Sequence, residues 1–224
     1  MIAASDSFIP ANNYVLFAPD WDSDQVRIAG FTMYVNPIFE KGMHAPVGGE
    51  VMAVPRSLLY TEDYPALDFD VPMEVQCGDF ITVEFHEVFS AIENSEQRRV
   101  IYKDKECILV RYDRIIGAVR DGIIIPLNGY IFAQPLPYDP TSEFEIVEMK
   151  KKQHHGNKAL VAHVGVKVKR YWWNREITDT LDVSVGDTIY FINHADVVVE
   201  HEYHRKMFEN PMFRIHRKHI IGIK

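Results

Sequence analysis

The sequence predicts an all-β protein made of two tandem copies of one small β-barrel. Three observations predict it. A set of short motifs recurs in register along the chain, the apolar residues fall in short runs with strand-like alternation, and the 12 glycines and 12 prolines are scattered at many separate points. The 224 residues are enough for two domains of about 110 each.

The repeat is the strongest signal. Ile9-Pro10-Ala11-Asn12-Asn13-Tyr14-Val15-Leu16 near the start matches Ile125-Pro126-Leu127-Asn128-Gly129-Tyr130-Ile131-Phe132 past the middle. Val75-Gln76-Cys77-Gly78-Asp79-Phe80-Ile81 matches Val183-Ser184-Val185-Gly186-Asp187-Thr188-Ile189. Ile115-Ile116-Gly117 matches Ile220-Ile221-Gly222. The three anchors keep their order at separations of 116, 108 and 105 positions (10 to 126, 78 to 186, 117 to 222). They divide the chain into copies at 1–120 and 121–224, with a polar turn at Arg120-Asp121-Gly122 as the join. So short a join should hold the halves side by side.

Each half reads as strands. In the first, Tyr14 to Phe17, Glu50 to Val54 and Cys107 to Val110 are short apolar runs, and Ile81, Val83 and Phe85 alternate with Thr82 and Glu84 as in a half-buried strand. In the second, the equivalents are Tyr130 to Ala133, Leu160 to Val164, Ile189 to Ile192 and Phe213 to Ile215. No long stretch repeats every 3.6 residues. Gly78-Asp79 and Gly186-Asp187 read as turns, glycine supplying a positive φ and aspartate bonding nearby amides.

Composition excludes several functions. The formal charge of −8 disfavours nucleic acid as a partner. Cys77 and Cys107 are too few for a disulfide scaffold and read as reduced thiols. No run reaches the roughly 20 apolar residues of a membrane span, and Met1 to Asp6 lacks the basic start of a signal peptide. The expectation is therefore a cytoplasmic protein with no membrane partner. His201 and His204 with His194, and His216 with His219, have ligand-like spacing, but no cysteine pair or carboxylate motif completes a tetrahedral set. No phosphate-binding loop, dinucleotide fingerprint or nucleophile–base set is present. No enzyme activity, metal or cofactor is expected.

The ordered motifs resemble the GroES-type co-chaperonin (chaperonin-10) family in a tandem, two-domain form. The resemblance rests on the strand after Ile9-Pro10, on Gly49-Glu50-Val51-Met52-Ala53-Val54, on the Val75-to-Phe85 turn and strand, and on the closing Val110-to-Val119 segment. The second half matches well over Val183 to Phe191, but Lys158 to Gly165 lacks the Gly-Glu pair. Tyr171-Trp172-Trp173 falls where the family has a roof hairpin.

The resemblance implies a partner, a chaperonin ring built of large subunits, and a homo-oligomer in the form of a ring. It also implies a mobile loop, about 20–47, carrying a short apolar docking edge. Matching Ala29-Gly30 to the family's glycine pair selects Phe31, Thr32 and Met33, while counting back from Val54 selects Pro37, Ile38 and Phe39. The second loop, about 139–158, places Ile146 and Val147 at the docking position, but Glu148 breaks the triplet and Lys150-Lys151-Lys152 follows, so this loop is altered. Burying two or three such side chains contributes roughly 1.5–3 kcal/mol each. Ordering the loop costs about 2–5 kcal/mol, so one loop binds weakly and a ring of loops tightly. Two other readings stand beside this one: apolar loop residues packed into the barrel wall, and a structural or ring-assembly protein, for example viral, that reuses the barrel without binding a chaperonin.

Overall fold

The computed structural model describes residues 2–5, 7–20, 25–28, 31–34, 47–59, 72–93, 96–137, 154–167, 169–172, 175–178, 182–192, 196–199 and 212–224. Among the described residues the protein is all-β with one short helix, and the chain divides into two compact units, Met1–Ile124 and Ile125–Lys224.

The first unit runs β1 (Ile2–Ala3), β2 (Tyr14–Pro19), β3 (Gln25–Ile28), β4 (Phe31–Tyr34), β5 (Gly48–Ala53), β6 (Phe80–Val83), α1 (Phe85–Glu93), β7 (Arg99–Tyr102), β8 (Lys105–Arg111) and β9 (Ile115–Arg120), and the chain passes to the second unit within β10 (Ile123–Pro126). The main sheet has the order β1-β7-β8-β2-β5-β6-β9-β10, antiparallel except where β1 lies parallel to β7. Asn12 and Asn13 both take left-handed φ, and Tyr14 N–H donates to Ala11 O at 3.1 Å, the pattern of a type I′ turn. That turn aims β2 between β5 and β8, where Val15, Leu16 and Phe17 are all buried, so both faces of the strand are covered. Lys103-Asp104 and Asp121-Gly122 repeat the left-handed pair at the β7–β8 and β9–β10 turns.

One expectation fails here. The alternation through Phe85 does not continue as a strand: β6 ends at Val83, Thr82 is buried, and Phe85–Glu93 is helical. Its inward face is Glu87, Val88, Ala91 and Ile92, an i, i+1, i+4, i+5 set that nine residues are just long enough to show.

The second unit continues with β11 (Tyr130–Pro137), β12 (His154–Val164), β13 (Lys169–Trp172), β14 (Arg175–Thr178), β15 (Thr188–Phe191), β16 (Asp196–Val199), β17 (Met212–His216) and β18 (Ile220–Ile223). Its main sheet has the order β16-β17-β11-β12-β15-β18, around a core that includes Ile131, Val161, Ile189, Phe191, Phe213 and Ile215. The span 139–158 is not all loop, because β12 already begins at His154. β13 and β14 form a separate hairpin that contains Tyr171 and Trp172, the segment aligned with the roof hairpin; Trp173 lies outside the described residues. In neither main sheet do the outermost strands pair with each other among the described residues.

The duplication is visible in the hydrogen bonds. Without β1 and β10, the first sheet reads β7-β8-β2-β5-β6-β9, which matches β16-β17-β11-β12-β15-β18 strand for strand. Asn128 and Gly129 repeat the left-handed pair, and Tyr130 N–H donates to Leu127 O at 3.1 Å. Val51 N–H donates to Asp79 O (2.8 Å) and Gly78 N–H to Val51 O (2.9 Å); Val161 with Asp187, and Gly186 with Val161, make the same two bonds at 2.9 Å each. Gly78 and Gly186 have φ of 90° and 95°. Each aspartate closes its turn, Asp79 Oδ2 accepting from Gln76 N–H at 2.9 Å and Asp187 Oδ2 from Ser184 N–H at 2.8 Å. Three-residue 3₁₀ turns, Tyr112–Arg114 and Arg217–His219, lead into β9 and β18.

Candidate functional site

Between β2 and β5 the chain leaves and re-enters the main sheet at one point. Pro19 is opposite Gly49, Asp20 N–H donates to Gly48 O at 2.9 Å, and Val83 N–H donates to Val47 O at 2.7 Å. The strands touch closely there. A Cβ on Gly49 would stand 2.1 Å from the Ala18 carbonyl oxygen, so no other residue fits without moving β2.

The segment between β2 and β5 contains a hairpin. β3 and β4 pair antiparallel as a two-stranded sheet of their own, in the register Gln25 with Tyr34, Val26 with Met33, Arg27 with Thr32 and Ile28 with Phe31. Opposed residues share a face and successive residues alternate. Positions 26, 28, 31 and 33 therefore fall on one face, all apolar, and positions 25, 27, 32 and 34 on the other. The sequence-derived loop 20–47 thus contains two strands, and Phe31 and Met33 share a face that Thr32 does not. Pro37, Ile38, Phe39, Ile146 and Val147 lie outside the described residues, as do His194, His201 and His204.

Part-buried polar contacts tie the elements of the first unit together. Arg120 places Nε and an Nη on the two Asp79 carboxylate oxygens, at 2.7 Å each, and donates to Glu74 O at 2.9 Å. Tyr112 Oη donates to Glu74 Oε2 at 2.6 Å; burial, and then the Glu74 charge, push the phenol pKa well above its usual value. Glu87 takes Arg98 as an ion pair and accepts from Arg111 N–H at 3.2 Å, tying α1 to β8. Asn13 clamps Leu59 by two bonds, its Nδ2 donating to Leu59 O at 2.8 Å and its Oδ1 accepting from Leu59 N–H at 2.6 Å.

The second unit buries basic side chains in β17 and the turn after it. Arg214, His216 and Arg217 are all buried. Arg214 lies 4.0 Å over the Tyr130 ring, and His216 meets the same ring edge-on at 4.8 Å. Lys218 N–H donates to His216 Nδ1 at 3.1 Å, while burial, and then Lys218, His219 and Arg214, pull the imidazole pKa down to about 3. A neutral ring is the stable form there. Arg217, at the position of Tyr112, donates to the Gly165 carbonyl.

Neither cysteine is bonded to the other. Cys77 is exposed in its turn, and Cys107 is buried in β8 with its thiol pKa raised to about 11 by burial. Among the described residues no group of three or more His, Cys, Asp or Glu is placed to hold a metal ion, and no helix is long and apolar enough to cross a membrane. No protein-family model matches the chain, and no curated protein matches it.

Proposed function

We propose that the chain is a tandem co-chaperonin, a lid that caps an ATP-dependent chaperonin ring through the β3–β4 hairpin and so assists folding. The observation that carries this reading is the hairpin itself: an element apart from the main sheet, between β2 and β5, with four apolar positions on one face. Such an edge or face can be buried against a partner groove. Burial of its side chains contributes roughly 1.5–3 kcal/mol each, offset by the cost of ordering, which suits weak contacts multiplied in a ring. The chaperonin supplies the hydrolysis, and the chain carries out no chemistry. Among the described residues the first copy has a hairpin between β2 and β5, and the second has one between β12 and β15.

The test separates the two faces. In pull-downs with a chaperonin and nucleotide, Phe31→Ser with Met33→Ser should abolish capture. Arg27→Ser with Thr32→Ser should leave it intact, and Ile38→Ser with Phe39→Ser reports on the other candidate edge. Capture that survives both apolar double changes removes the docking assignment. A chain that never forms a nucleotide-dependent complex fits the second reading, a ring-assembly protein reusing the same frame.

A further inference from the structure

The turns that lead into the two closing strands differ in one chemical respect. In the first unit the residue before the 3₁₀ turn is Arg111, whose guanidinium bonds the Asp113 carboxylate at 2.9 and 2.7 Å. In the second unit the same position, 105 residues on, is His216, and Lys218 stands where Asp113 does. There the ring itself caps the turn, its Nδ1 accepting from Lys218 N–H at 3.1 Å.

An imidazole can fill that role only while neutral. Nδ1 accepts through its lone pair, so the hydrogen of the ring sits on Nε2. A second proton would occupy Nδ1 and set it against another donor, Lys218 N–H, and the cap is lost. The surroundings oppose that proton as well. His216 is only 2% exposed. The described side chains that face it are basic or uncharged: Arg214 on its own strand, Lys218 and His219 in the turn, with the His219 ring at 6.2 Å, and the Tyr130 ring of β11 at 4.8 Å. The bond to the Asn128 backbone acts in favour of the proton and is outweighed. Asp196 of β16 is opposite Ile215, so strand alternation puts it on the other face of the sheet from His216.

The capped turn holds β18, which pairs with β15 alone and is an edge strand among the described residues. The turn is tied down by Arg217, which donates to the Gly165 carbonyl, and by Ile192 N–H, which donates to His219 O at 3.0 Å. A segment paired on one side opens at lower cost than the strands inside the sheet.

We propose that His216 is a proton-operated latch on residues 217–224: neutral, it holds the turn and β18 closed, and on taking a proton it releases them, while the first unit, with Arg111 in that place, has no such release. Only the open form takes the proton readily. Open, the ring has the ordinary histidine pKa of about 6.5; closed, burial and then the neighbouring basic groups hold it at about 3. The opening equilibrium should therefore rise about tenfold between pH of about 7.5 and about 5.5, and about a hundredfold by pH of about 4.5. The latch needs no chaperonin, so its failure leaves the docking proposal standing, and the reverse.

Hydrogen exchange, corrected for the chemical exchange rate at each pH, tests it. The amides to follow are Ile220, bonded to Arg217 O in the turn, and Lys224, bonded to Thr188 O at 2.8 Å. Their opening should rise tenfold over the upper window and should exceed that of the β11 amides at every pH. Ile115, bonded to Tyr112 O in the matching turn of the first unit, should stay flat. His216→Asn keeps a side-chain acceptor at the cap without a titrating ring and should remove the rise, whereas His219→Asn should retain it. A flat response at Ile220 and Lys224, a rise that survives His216→Asn or disappears in His219→Asn, or exchange at one common rate with β11 each overturns the latch. Should His216→Asn not fold, the unchanged chain decides, because Ile115 and Ile220 rising together contradict it equally.

Discussion

Arg120→Leu is the substitution whose cost follows most directly from the geometry. The Asp79 carboxylate is almost fully buried, 1% exposed for the residue, and three of its contacts are known: two from Arg120 at 2.7 Å and one from Gln76 N–H at 2.9 Å. Removing the guanidinium leaves a buried negative charge with its turn bond. Orphaning one member of a buried pair costs about 3–5 kcal/mol. The Arg120 side chain is 32% exposed, which lets water reach the vacated side, so the expected loss is smaller, about 2–3 kcal/mol. With a urea m-value of about 2–3 kcal/mol/M, the midpoint of the first unit falls by about 1 M. Adding Asp79→Asn to Arg120→Leu removes the orphaned charge and should recover at least half of the loss. Asp187→Ala is the comparison in the second unit, where the carboxylate is half-buried; losing its turn bond costs about 0.5–1.5 kcal/mol. A loss below about 0.5 kcal/mol for Arg120→Leu, the range of exposed pairs, refutes the reasoning.

Gly49→Ala should destabilise by about 3 kcal/mol, because its Cβ meets the Ala18 backbone carbonyl at 2.1 Å, whereas Gly186→Ala has open space and loses only about 1–2 kcal/mol to its left-handed φ. Thermal melts of the two variants rank them, and an equal or reversed order contradicts the close approach of β2 and β5. His216 predicts acid sensitivity. Its folded pKa, near 3, lies below the unfolded value of about 6.5, so the unfolded chain binds the extra proton. Its contribution is therefore complete above pH of about 6.5 and declines as pH falls toward 3. Urea midpoints across that window should slope less steeply in His216→Phe than in the unchanged protein; identical slopes assign the acid sensitivity to other groups.

The strands that begin after a marked turn were legible in the residues. Asn12-Asn13 and Asn128-Gly129 tolerate the left-handed pair, and the apolar runs after them have nowhere to go but between two neighbours. Helix α1 was not legible, because Phe85 continues the alternation of Ile81 and Val83, and the burial of Glu87 against Arg98 is a tertiary fact. The β3–β4 hairpin left a local signal, Val26 and Ile28 alternating up to Ala29-Gly30 and Phe31 and Met33 alternating after it, which disappears when 20–47 is assigned to a single loop. The buried basic residues of β17 carry no signal of their own, since Arg214 and His216 look like ordinary surface residues until Tyr130 is placed against both.

The most direct test of the lid reading is co-sedimentation of the unmodified chain with a chaperonin ring, with and without ATP. A complex that forms with nucleotide and is displaced by an excess of a peptide spanning Gln25 to Tyr34 is the predicted result. A chain that stays in the light fraction under both conditions contradicts it.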